Sequence, residues 1–308
     1  MLKAFLLVIV GLSGDPEHGA AFHKWGAALA DGSARLGVDK ANVLYLADAL
    51  EGDTKPTGRA TREEIEKAIS TIATKASPDD VVFITLIGHG SFDGRAAKFN
   101  LPGPDMTAAD FNALIRKLPT RQVVFIDTSS SSGPFIEALS GPGRTIITAT
   151  RNGAEQFATL FGGYFVDAIT GDEADADKNR RVSMLEAFKY AKGEVAKAYE
   201  REGLLMTEHA LLDDNGDKEG SADPSATGAD GKLASVLALG SAADAALPAD
   251  PKLRALYIER RDMERRVEAL RLLKDSMEPA RYAAELEKLV TDLALKTREI
   301  RAAEQALR

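Results

Sequence analysis

The sequence predicts a doubly wound α/β fold with a helical appendage, on three observations. Five short, continuous, β-rich apolar runs stand at residues 4–10, 42–47, 81–87, 122–126 and 145–149, as expected of strands covered on both faces. Amphipathic stretches of helical period separate them at 20–36, 61–73 and 108–118, and such a β-α alternation implies a parallel sheet with right-handed crossovers. From Lys252 onward the composition turns to Arg, Glu, Leu and Ala, the signature of long helices.

A chain of 308 residues with 44% hydrophobic content holds one substantial core and an appendage, because single cores stop growing near this length. The expected division is an α/β domain at 1–239, with its core at 1–170 and a helical and loop extension at 171–239, then a linker at 240–251 and a helical hairpin at 252–308. Within the extension, 154–169 and 183–202 read as helical and the Gly-, Asp- and Ser-rich stretch 213–233 as irregular. In the tail Leu286, Leu293, Ile300 and Leu307 recur every seven residues, with Tyr282, Leu289 and Ala303 as a companion series broken by Lys296. Leu256, Met263 and Leu270 carry the same period before Pro279. Two helices folding back as an antiparallel pair satisfy this pattern, and so does pairing with another chain or with a partner's helix.

The net charge of -8 argues against a nucleic-acid or anionic-membrane surface, leaving peptides, proteins, cations and small molecules as partners. Cysteine is absent, which removes disulfides, thiolate metal sites and thiol nucleophiles and is neutral about compartment. No run of 18 apolar residues occurs, so no membrane span is expected. Residues 1–10 have the look of a short export signal, but 11–15 offer no small-x-small cleavage site and a buried first strand is favoured. A cytoplasmic and an exported location, the latter with a signal preceding Met1, both stay open.

In a doubly wound sheet ligands sit beyond the carboxyl ends of the strands. The third strand is followed there by Gly88-His89-Gly90-Ser91-Phe92-Asp93-Gly94, and the fourth by Asp127-Thr128-Ser129-Ser130-Ser131-Ser132-Gly133-Pro134. A histidine and a serine cluster therefore share one edge. This pattern, apolar strand and Gly-His-Gly, then forty residues on apolar strand, acidic residue and Ser-Gly, resembles the clan CD peptidases over roughly residues 1–215. The runs Leu86-Ile87-Gly88-His89-Gly90-Ser91 and Thr145-Ile146-Ile147-Thr148-Ala149-Thr150-Arg151 look like the legumain-like, caspase-like domains of bacteria in particular. The family's Asp-Ala-Cys-x-Ser-Gly element stands here as residues 127–133, with serine for cysteine and one extra residue.

The resemblance implies a caspase-like fold and a catalytic pair of His89 with Ser129, counted from the strand, or Ser130, counted back from Ser132-Gly133. It also implies a peptide site lined by Gly90, Asp127, Arg151 and Asn152, with no cofactor required. Its specificity pocket draws on the loop after the first strand, carrying Asp15, Glu17 and His18, and on the segment after the fifth, carrying Arg151, Asn152 and Glu155. The asparaginyl-specific residues of legumain do not map one by one onto 11–19. A thiol is partly ionised near neutrality, whereas a serine hydroxyl needs an oriented base and an oxyanion hole. Three readings compete: a natural pseudopeptidase, a working serine variant, and an engineered cysteine-to-serine replacement. The chemistry favours the first, acting through peptide or protein binding, and a scaffold working through the helical hairpin is a separate class. His18, His23 and His209 read as surface or helix-face residues without zinc spacing.

Residues 175–186 fit an EF-hand template, with Asp175, Asp177, Asn179, Ser183 and Glu186 at positions 1, 3, 5, 9 and 12 and the Arg181 carbonyl at 7. Arg180 replaces the usual glycine at position 6. Ca2+ is thus a candidate ligand, competing with a capping box of Ser183 and Glu186. A second acidic run, Asp213-Asp214-Asn215-Gly216-Asp217-Lys218-Glu219-Gly220, has Asx residues at alternate positions but Pro224 in the place of the terminal glutamate. An Asx-rich turn is its favoured reading.

Overall fold

The computed structural model describes residues 3–34, 37–50, 54–178, 181–239, 250–274 and 277–306. The chain divides into two compact units, Lys3–Ser241 and a second that comprises Ala242–Arg308 with Met1–Leu2.

In the first unit the strands are β1 (Ala4–Val10), β2 (Val43–Ala47), β3 (Gly58–Arg59), β4 (Val81–Ile87), β5 (Gly90–Phe92), β6 (Ala97–Phe99), β7 (Met106–Thr107), β8 (Gln122–Asp127), β9 (Arg144–Thr148), β10 (Val182–Ser183), β11 (Leu211–Asp213) and β12 (Ala238–Leu239). Its helices are α1 (Pro16–Asp31), α2 (Arg62–Lys75), α3 (Ala108–Ile115), α4 (Phe135–Leu139), α5 (Phe161–Thr170), α6 (Met184–Glu202) and α7 (Lys232–Val236). Seven strands form one sheet in the order β11-β9-β8-β4-β1-β2-β3, parallel except for β11 against β9. The five strands expected from the apolar runs are its centre, β1 and β4 with the expected ends. Continuous Val, Ile, Leu and Phe runs bury both strand faces. Phe5, Leu7 and Ile9 of β1 join Ile65 and Ile69 of α2, Phe111 of α3 and Phe135 of α4 in one core. On the other face α1 packs on β1 and α5, and α5 on α6.

The chain moves from β1 to β2 on one side and to β4 on the other, so the order reverses between β1 and β4. That crevice is the topological switch point, where doubly wound folds place ligands.

Three local differences from the sequence reading have physical causes. Helix α1 begins at Pro16 and ends at Asp31, ahead of the expected 20–36. Asp15 caps it by accepting from the Glu17 and His18 amides, and Pro16 suits the first turn. Of the expected helix 154–169, only Phe161–Thr170 is helical. The preceding loop is held by the Glu155 carbonyl, which accepts from Ser131 N, and by the Glu208 carboxylate, which accepts from Leu160 N and Phe161 N at 2.8 and 3.0 Å. A separate antiparallel sheet of β5, β6 and β7 has strands of two or three residues, too short for a periodic signal.

The second unit contains α8 (Pro251–Leu272) and α9 (Pro279–Ala306). Leu253 and Leu256 cluster with Ile300, and Tyr257 and Ala303 pack on them, so the start of α8 meets the end of α9 in an antiparallel hairpin. The lysine that interrupts the seven-residue series has a use: Lys296 Nζ lies 2.7 Å from Glu259 and from Glu299. Leu307, the last residue of the predicted seam, lies outside the described residues. Among the described residues no helix is long and apolar enough to cross a membrane.

Candidate active site

The carboxyl ends of β1, β4 and β8 bring together three segments: the loop running into α1, residues 88–90, and residues 127–133. His89 stands at the switch point. Its Nε2 is 3.0 Å from the carbonyl of Ser13, and because a carbonyl only accepts, this bond assigns the proton to Nε2 and leaves Nδ1 with the lone pair. Burial is the main influence lowering the imidazole's pKa, His18 adds to it, and the Ser13 carbonyl and Asp15 oppose them. The ring is therefore neutral at physiological pH.

Beside it lies His18, which the sequence reading placed both in the loop that the family's specificity pocket draws on and on a surface or helix face. The rings of His18 and His89 meet edge to face with centroids 4.9 Å apart, and Phe22 meets His89 at 5.2 Å. His18 Nδ1 is 2.6 Å from Asp15 Oδ2. The available signal was the Asp15-Pro16 cap, which starts α1 four residues earlier and turns His18 and Phe22, four apart, onto one face.

Residues 127–133 form a buried turn in which Ser129, Ser130, Ser131 and Ser132 are 2% exposed or less. Each hydroxyl has a partner within the protein. Ser129 Oγ donates to Asp127 Oδ1 at 2.6 Å, and Ser130 Oγ donates to the Gly90 carbonyl at 3.0 Å while accepting from Gly90 N at 3.1 Å. Ser131 Oγ donates to the Gly153 carbonyl at 3.0 Å, and Ser132 Oγ pairs with Thr150 Oγ1 at 3.1 Å. Neither Ser129 nor Ser130 is hydrogen-bonded to His89. Ser131 takes φ 57°, a left-handed conformation that costs a non-glycine residue energy and needs support from its surroundings.

Asp127, at the end of β8, is fully buried, and its Oδ2 has no hydrogen-bond partner. Burial pushes its carboxyl up to about 6, against the pull of the Ser129 hydroxyl and amide. With the folded value above the ordinary 3.8, the proton binds more tightly in the folded protein. The resulting stability is complete below the unfolded pKa and is lost as pH rises through about 6, by about 3 kcal/mol in all. Urea unfolding of wild type and Asp127→Asn at pH 4 and pH 8 tests this. The stability difference between the two proteins is expected to change by about 2 kcal/mol between these pH values, and a constant difference would contradict it.

The segment after β9 closes the site. Arg151 Nε lies 3.1 Å from Glu155 Oε1, and Glu155 also holds Arg151 N at 3.0 Å and His209 Nδ1 at 2.6 Å. Arg151 and Asn152 are exposed, with Asn152 Oδ1 accepting from Ala154 N. Gly90 and Asp127 instead lie against the serine turn, one at its surface and one beneath it. His209, like His18, gained its place only through the fold, which carries β11 back to β9.

The EF-hand-like loop lies apart from this constellation. Oxygens of Asp175, Asp177 and Glu186 fall within 4.8 Å of one another. Both oxygens of Glu186 are engaged: Oε1 accepts from Ala176 N and Asp177 N, and Oε2 from Ser183 N and Oγ. Ser183 accepts in turn from Glu186 N, completing the capping box. Arg181 is half-buried, and Asn179 and Arg180 are outside the described residues.

Compared with known families, residues 59–211 match the model of the peptidase C13 family, a stretch that contains His89, the serine turn and Arg151. No curated protein matches the chain.

Proposed function

The chain belongs, through its α/β unit, to the peptidase C13 family, and from that premise we propose that this legumain-like peptidase homologue has lost peptide-bond cleavage and binds a peptide or protein segment in the surviving cleft. The observation that carries this reading is the hydrogen bonding of the serine turn. A nucleophile must be exposed to substrate and within reach of its base. Ser129 and Ser130 are buried, their hydroxyls are committed to Asp127 and Gly90, and neither is hydrogen-bonded to His89. The Gly90 amide, which a tetrahedral oxyanion beside His89 would want as a donor, is already given to Ser130.

What survives supports binding. The cleft keeps a neutral imidazole flanked by His18 and Phe22, and the exposed Arg151 and Asn152 border the segment after β9. An apolar and aromatic floor with a few polar groups at its margin suits an extended peptide. The loop 175–186 acts first as a turn and helix cap, and a Ca2+ ion there would have to take Glu186 from the Ala176 and Asp177 amides. The family reading does not require such an ion.

Immobilised protein challenged with a diverse peptide library tests the proposal. Wild type is expected to retain a subset of peptides uncut, and Arg151→Ala to weaken their retention about tenfold, the scale of one charge-assisted contact. Retention of no peptide, together with cleavage products in the flow-through, would overturn it.

A further inference from the structure

We infer that an apolar cavity, where the end of β9, α5, α6 and the segment entering β11 meet, takes a large aromatic or branched aliphatic side chain of the peptide held in the neighbouring cleft. This rests on the reading of the cleft as a peptide site, and it names one residue class that the peptide carries.

The cavity has a volume of about 190 Å³ and is walled by Ala149, Phe161, Val195, Met206 and Ala210, with Glu208 among them. A dry apolar cavity of about 150 Å³ takes a benzene, so this one admits a phenyl ring or a leucine side chain. The surface around it is apolar as well. Of the ten large apolar side chains exposed among the described residues, five stand on the two flanking segments: Phe157 and Leu160 before α5, and Leu204, Leu205 and Met206 before β11. The Glu208 carboxylate ties these segments together through the Leu160 and Phe161 amides. Exposed apolar side chains gathered at one place mark an interaction surface, whereas scattered ones need no explanation.

Charge decides the class of occupant. Glu208 is 3% exposed, and the protein itself supplies its carboxylate with three donors: Leu160 N, Phe161 N and the Tyr199 hydroxyl. Lys192, the one Lys or Arg in the wall, gives its ammonium to the Ala222 carbonyl at 2.6 Å and to Asp223 Oδ1 at 2.5 Å. An anionic group would meet the carboxylate of Glu208 and find no uncommitted cation, and a hydrogen-bond donor is not needed there. The complementary occupant is a neutral apolar group. It belongs to a peptide because the cavity continues the margin of the cleft. Ala149 directly follows β9, its amide donating to the Asp127 carbonyl at 3.0 Å. His209, also in the wall, holds Glu155 Oε1, to which Arg151 Nε binds as well. One carboxylate thus stands between Arg151 on the cleft side and His209 on the cavity side.

The test is selection from the diverse peptide library on the immobilised full chain, for wild type, Ala222→Trp and Arg151→Ala, with sequencing of the retained peptides. Ala222 lines the cavity and is exposed, so a tryptophan there plugs the mouth, and the variant should melt with wild type. Wild type is expected to retain peptides enriched in Phe, Leu or Ile at one fixed position. Ala222→Trp should weaken their retention about tenfold or more, the scale of burying one large apolar side chain, and lose the enrichment. Arg151→Ala should weaken retention and keep the enrichment. Retention by wild type without an apolar preference would overturn the inference and leave the cleft reading standing, and so would unchanged retention and preference in Ala222→Trp. Retention of no peptide by wild type would overturn both.

Discussion

Replacing Ser129 or Ser130 by cysteine leaves the protein without thiol-dependent peptidase activity, at least about 10⁴-fold below a working dyad enzyme, a typical consequence of losing a triad member. A sulfur at residue 129 would take the place of a hydroxyl that lies 2.6 Å from Asp127 Oδ1. Asp127 is fully buried, and once ionised its carboxylate holds a neighbouring thiol in its neutral form. At residue 130 the side chain faces both backbone groups of Gly90, which leaves it no path to the His89 ring without dismantling the turn. Fluorogenic peptide hydrolysis with and without an alkylating reagent reads the outcome. Alkylation-sensitive turnover in either variant would mean that the turn opens readily and that only the sulfur is missing.

A large loss of stability is expected from Gly133→Ala. A Cβ at this position would lie 2.2 Å from the Arg151 carbonyl carbon and 2.3 Å from Asn152 N, both backbone atoms that cannot rotate aside. The Gly133 amide also donates to Thr150 Oγ1 at 3.0 Å, so the turn and the segment after β9 would have to separate and give up that bond. The expected cost is about 3–5 kcal/mol, the range of severe overpacking combined with a lost buried hydrogen bond. In a unit of this size that lowers Tm by about 10 °C. Thermal melting followed by circular dichroism measures it, and a Tm within 2 °C, about the effect of 1 kcal/mol or less, would show that the two segments are not in contact in solution. Peptide retention should fall in the same variant, because Arg151 and Asn152 would move with the segment.

The sheet was readable because its strands are buried on both faces and so are written as unbroken apolar runs, as at β4 and β8. The place of the site was readable for a related reason: Gly88-His89-Gly90 and residues 127–133 directly follow such runs. What sits opposite each side chain was not readable. Counting along the chain makes Ser129 and Ser130 equal candidates for a nucleophile, yet their partners are Asp127 and Gly90, the latter forty residues away. His18 and His209 reach their neighbours only through α1 and through the return of β11 to β9, contacts that no spacing rule contains. In the second unit the seven-residue period identified Ile300 and Leu256 as core, and their contact shows the two helices pairing within one chain.

The central claim is that the cleft binds without cutting. Mass spectrometry of the peptide library after prolonged incubation with wild type tests it most directly. The account predicts unchanged peptide masses, identical to incubation with His89→Ala, while a subset of peptides stays bound to the protein. New peptide termini that appear with wild type and vanish with His89→Ala would contradict it.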